Sequence, residues 1–112
     1  MANRNRIHGA CVFKNEGDGC LSSKYINEDG SPLVETCYLI AESRRPDEPD
    51  PFVGSYKSVW LEGVRTDPVS ATLTIARADS GRYSLKWQGS KQSYGGVGML
   101  YNGLLICAYW RQ

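Results

Sequence analysis

Apolar and polar positions alternate along most of this chain, and turn-forming residues interrupt the alternation at short intervals. Tyr83-Ser84-Leu85-Lys86-Trp87-Gln88 shows it most clearly, with every second residue apolar, as in a strand with one dry and one wet face. No window repeats apolar residues at spacings of three and four behind a capping residue, so helices are not expected. Breaks fall at Gly17-Asp18-Gly19, Glu28 to Pro32, Arg44 to Pro51, Gly63 to Ser70, Ala78 to Gly81, Gly89 to Ser93 and Asn102-Gly103. They predict eight strands, at about 7–16, 20–27, 33–42, 52–62, 71–77, 82–88, 94–101 and 104–111, each rich in β-branched or aromatic residues.

The safest local expectation is the hairpin around Asn102-Gly103, because both central residues of a type I′ turn need positive φ. The strand after it, Leu104 to Trp110, is apolar on both faces, which calls for cover on both sides or a partner. Gly95, Gly96 and Gly98 precede it, where absent side chains permit a sharp bend or the close approach of another backbone. Residues 44–51, Arg-Arg-Pro-Asp-Glu-Pro-Asp-Pro, read as a long connection between two hairpin groups rather than a hinge between domains. Eight short strands with hairpin-length loops most simply close into an all-β, eight-stranded antiparallel up-and-down barrel, with a two-sheet sandwich as the alternative. Closure removes exposed strand edges. Such a barrel is either filled by its own side chains or holds one small ligand.

A length of 112 residues allows one domain, 1–112. Thirteen basic against twelve acidic side chains give no bulk charge that would draw nucleic acid or a membrane surface. No long apolar run follows the start, so a cytoplasmic location is the plain reading, with secretion or a periplasmic location the alternative if a leader was removed. Cys11, Cys20, Cys37 and Cys107 contain no C-x-x-C pair, so buried free thiols are expected ahead of disulfides and well ahead of a metal site.

From residue 52 the chain reads Phe-Val-Gly-Ser-Tyr, Trp60, Ala-Thr-Leu-Thr-Ile at 71–75, Tyr83-x-Leu85-x-Trp87, Tyr94-Gly95-Gly96-Val97-Gly98-Met99 and Leu104-x-Ile106-x-Ala108-Tyr109. This order resembles small lipocalin-like or avidin-like barrels of the calycin type, and looks especially like bacterial proteins of that type without an assigned activity. Tyr56 stands where the lipocalin motif carries Trp. The resemblance covers about half of the chain and implies an architecture and a cavity, with no particular ligand.

The residues offer little for catalysis. His8 is the only histidine and sits near the chain start, in a segment expected to be mobile, so a Ser-His or Cys-His pair is not expected. Glu28/Asp29 and Asp47/Glu48 lie in turns, where charge is ordinarily solvated. Gly95-Gly96-x-Gly98 opens no helix and is no phosphate cradle. The later half is basic and holds nine of the twelve aromatic residues, a mixture that single-strand nucleic-acid binders use, but Arg82 and Lys86 alternate with Tyr83, Leu85 and Trp87 and so face away from the rings. The positive candidates are rings sharing strand faces: Tyr56 with Trp60, and Tyr83 with Trp87. Trp and Tyr combine apolar area with one polar tip, which suits a pocket wall, although such rings also fill cores. Tyr94 and Tyr101 are read as mouth or surface residues, and Trp110 as packing across the barrel end or on another subunit. The sequence therefore predicts a non-enzymatic binding protein without metal or cofactor. A small apolar or amphipathic ligand would sit at the barrel mouth among Tyr56, Trp60, Tyr83 and Trp87. The alternative is a protein-binding or inhibitor module with a filled barrel, in either case able to form a homo-oligomer.

Overall fold

The computed structural model describes residues 6–28, 30, 32–61 and 68–112. Eight strands follow in chain order: β1 (Gly9–Gly17), β2 (Cys20–Asn27), β3 (Leu33–Leu39), β4 (Gly54–Trp60), β5 (Val69–Arg77), β6 (Arg82–Gln88), β7 (Ser93–Tyr101) and β8 (Leu104–Arg111). Each pairs antiparallel with the next, and β8 returns to β1 to close the barrel. The sandwich is thereby excluded. Expected breaks at Asp29, Ser31 and 63–67, and the end of the fourth predicted strand at 62, lie outside the described residues.

Alternation builds the interior. In β6 the pattern is strict: Tyr83, Leu85 and Trp87 are buried while Arg82, Ser84, Lys86 and Gln88 are exposed. Phe13, Leu21, Cys37, Tyr56, Leu73, Ile75 and Leu105 from six other strands are fully buried. Fully burying a side chain of the Leu or Phe class contributes about 1.5–3 kcal/mol. β8 points Leu105, Cys107 and Tyr109 inward; its outward residues Ile106, Ala108 and Trp110 are half-buried. Ile106 and Ala108 are opposite Val12 and Val97 in the flanking strands, so cross-strand packing on the outer surface accounts for part of the second apolar face of β8. Trp110 lies on that outer surface with its indole over Gly95, not across the barrel end, because it is one residue out of phase with Tyr109.

The β7–β8 hairpin has the predicted turn, with φ of 53° at Asn102 and 78° at Gly103. In β7 the glycines permit close approach: a Cβ on Gly96 would lie 3.0 Å from the Ala108 carbonyl oxygen and 3.1 Å from the Trp87 ring.

Residues 40–53 join β3 to β4 and close the lower end of the barrel. β3 stops at Leu39, short of the predicted 42, because Ala41–Ser43 form a 3₁₀ turn that starts this crossing. Phe52 is buried in the core, ahead of β4 instead of inside it. Arg44 fastens the segment by donating from Nε to the Val53 carbonyl at 2.8 Å, and from one terminal nitrogen to the Pro51 carbonyl at 2.7 Å and the Tyr56 hydroxyl at 3.0 Å. Tyr83 donates its hydroxyl to Asp50, whose other oxygen accepts from the Phe52 amide. Arg77 meets Glu48 at 2.7 Å, and its hydrogen bond holds the Glu48 carboxyl below the usual range. The Pro- and Asp-rich stretch is thus a floor, held by its own charges.

Candidate functional site

At the opposite end, where β2 meets β3 and β6 meets β7, the interior is not filled. A cavity of about 340 Å³ lies there. Trp60 at the end of β4 and Trp87 near the end of β6 form part of its wall, with Tyr25 from β2, Tyr94 from β7 and Tyr109 from β8. Leu33 and Cys11 add apolar surface, and Asn27, Gln92, His8 and Arg111 supply polar groups. A second hollow of about 260 Å³ adjoins it and shares Trp60, Gln92 and Tyr94.

The rings are organised as a packed series. Phe13 stacks on Trp87 at 6.3 Å between centroids, and Trp87 meets Tyr109 edge-on at 5.9 Å. Tyr109 in turn meets Tyr94 at 6.2 Å and nearly at right angles. His8, expected to be mobile, is seated: its amide donates to the Tyr109 carbonyl and its ring lies within 6.2 Å of both Tyr94 and Tyr109. Tyr109 donates its hydroxyl to the Asn27 side chain, and burial pushes that hydroxyl's pKa well up. Tyr94 donates to Gln92 at 2.6 Å, and Tyr25 to the Leu61 carbonyl at 3.2 Å.

Among the described residues, one carboxyl side chain faces this cavity from a buried position. Glu35, the second inward residue of β3, is 5% exposed. Trp87 donates its indole N–H to Glu35 Oε2 at 2.8 Å, and the fully buried Ser58 hydroxyl donates to the same oxygen. No described cationic side chain forms an ion pair with it. Ser23 is directly opposite Glu35 in the β2–β3 register, and its buried hydroxyl has no hydrogen-bond partner. Burial, reinforced by the Glu35 carboxylate, keeps the neighbouring Cys37 thiol protonated far above its ordinary range. The four cysteines are free; Cys11 faces Cys107 across the β1–β8 pairing.

Of the four rings grouped from the sequence, the fold brings Trp60 and Trp87 together at the cavity and places Tyr56 and Tyr83 at the floor. Each pair shares a strand face, but residues four apart on a strand are about 13 Å apart along it, so each pair spans the barrel from floor to mouth. Tyr56 is fully buried with its hydroxyl on the Phe52 carbonyl, and Tyr83 is tied to Asp50. Neither lines the cavity. Among the described residues no group of three or more His, Cys, Asp and Glu is placed to hold a metal ion. Glu35, Tyr25 and Tyr109 were not singled out from the sequence, although Glu35 carried a signal: a charge between Leu33, Cys37 and Leu39 on one strand face.

Compared with known protein families, curated proteins and solved structures, the chain has no significant match.

Proposed function

We propose that the protein is a non-enzymatic, calycin-like binding barrel that takes one small apolar or amphipathic ligand at its upper end. One observation carries this reading: the barrel is close-packed below and leaves about 340 Å³ above, between Trp60 and Trp87, over a buried polar group. Small-molecule sites are concave and set apolar and aromatic walls beside fixed polar groups that orient the ligand; here rings and polar side chains share the lining about equally. The volume is within the usual range for such sites. The rival reading, a protein-binding or inhibitor module, was framed around a filled barrel, and the room above Trp87 weighs against it.

The test is native mass spectrometry of protein purified from its own host, set beside the denatured mass, together with titration by the neutral apolar fluorophore N-phenyl-1-naphthylamine. A mass excess that denaturation removes, or saturable energy transfer from tryptophan that Trp60→Ala weakens, is the expected result. A bare native mass with no saturable response would overturn the reading.

A further inference from the structure

We propose that the ligand is a cationic amine, its ammonium seated on the Glu35 carboxylate and its body held between aromatic rings. The inference rests on the binding-barrel reading above and adds the ligand's chemical class.

Removing a carboxylate from water costs several kcal/mol unless charge and hydrogen bonds meet it. Glu35 is 5% exposed, and no described cation pairs with it. Its bonds from Ser58 and Trp87 both end on Oε2, and these donors, like the neighbouring Cys37 thiol, carry no charge. An ammonium group has three donors and a positive charge, which suits a carboxylate that faces the cavity without a cationic partner among the described residues.

The walls fit the same group. The faces of Trp and Tyr attract cations through the ring quadrupole, most strongly where water is excluded, and Trp60 is opposite Glu35 in the β3–β4 register while Trp87 bonds to it directly. The cavity has more than twice the volume of one that holds a benzene ring, about 150 Å³, which leaves room for an aryl or branched alkyl body beside the amine. Arg111, the arginine among the described lining residues, is exposed, where solvent screens its charge.

The experiment measures affinity by calorimetry on the unaltered protein for benzylamine, phenethylamine and 1-naphthylmethylamine, each beside its alcohol and carboxylate counterparts. The expected result is that at least one amine binds tenfold or more tightly than its alcohol, with the carboxylate weakest. Glu35→Gln, which keeps the acceptor for Trp87 and Ser58, should remove that preference and leave the alcohol's affinity within about twofold. If alcohol or carboxylate binds as well as the amine, the amine assignment falls while the binding barrel stands. If none of the nine compounds binds and N-phenyl-1-naphthylamine also fails, both fall. If the fluorophore alone binds, only the amine assignment falls. The preference on the unaltered protein decides the matter even if Glu35→Gln fails to fold.

Discussion

Trp87 on β6 and Glu35 on β3 meet through the barrel interior, the indole N–H reaching a carboxylate oxygen at 2.8 Å. Their strands are not neighbours in the sheet, so this bond ties opposite walls together above the packed core. Removing it should be felt in stability as well as at the cavity. Trp87→Phe keeps a ring for Phe13 to stack on and deletes the donor. It should cost about 1–3 kcal/mol in urea unfolding, the scale for a buried hydrogen bond to a carboxyl group. The cost should shrink in a Glu35→Leu background; an equal cost there would place the effect in packing.

Gly96 has the Trp87 ring against it. Gly96→Ala would bring a methyl to 3.0 Å from a backbone oxygen and 3.1 Å from that ring. Overpacking of this kind costs about 1–3 kcal/mol. Chemical denaturation and a shifted tryptophan emission in the folded state are the two readouts, and an unchanged midpoint would mean that β7 relaxes outward freely.

The floor depends on the fork geometry of Arg44, which serves two carbonyls and a hydroxyl at once. A lysine ammonium is a point donor without that planar fork. Arg44→Lys is therefore expected to lower stability by about 1–3 kcal/mol and to speed proteolytic cleavage within residues 45–50, read by limited digestion and mass spectrometry. Cleavage at the native rate would show that Phe52 and the contacts of Glu48 and Asp50 hold the segment without Arg44.

Burial, helped by the Asp50 carboxylate, pushes the Tyr83 hydroxyl up to about 12, and Tyr56 and Tyr109 are raised as well, chiefly by burial. A folded pKa above the unfolded value of about 10 means that the native state keeps its proton where the unfolded chain has lost it. The stabilising difference is whole below about pH 10 and is lost as pH climbs toward 12. Stability followed by urea midpoint should decline over that window, by at most about 1.4 kcal/mol per pH unit for each such tyrosine. Tyr83→Phe should flatten the decline; an unchanged slope would assign it elsewhere.

Cys11, Cys37 and Cys107 are at most 5% exposed, and Cys20 is half-buried. The Cys11 thiol is held protonated by its hydrogen bond with Cys107 and by burial. Iodoacetamide needs an accessible thiolate. One alkylation, at Cys20, should be fast in the folded protein, with the other three following only as it unfolds, as intact-mass time courses would record. Two fast sites would show an opening of the wall at Cys11.

The sequence carried the strand order and the turns because alternation and turn chemistry are local. Asn102-Gly103 dictates its hairpin with no help from the rest of the chain. The cavity was less legible. Which strand end a ring occupies depends on how far along the strand it sits, and alternation reports only the face; Tyr56 and Trp60 look alike by that measure and lie at opposite ends. Glu35 was obscured for another reason. Val34 and Tyr38 are apolar yet 63% and 53% exposed, so β3 has apolar residues on both faces and the inward position of Glu35 did not stand out. Residues 44–51 resembled a solvated linker because the partners of their charges, Arg77 and Tyr83, come from strands much later in the chain.

The β1–β8 pairing described above also sets an order of events. It aligns Gly9 with Tyr109, so β2 to β7 must all be made before that ladder can form. Until then β1 has only β2 of its two native neighbours, and its other edge waits for β8. Closing so long a loop is a late and slow step in β proteins, where non-local pairings are rewarded only after their entropy is paid. His8 and Cys11 lie just before and within β1, and Tyr109 in β8, so this side of the cavity wall is assembled by that same step. The same closure brings Phe13 beside Leu105 and Cys11 beside Cys107, so it completes the core together with the site, and whatever the cavity accepts will select barrels whose seam has closed.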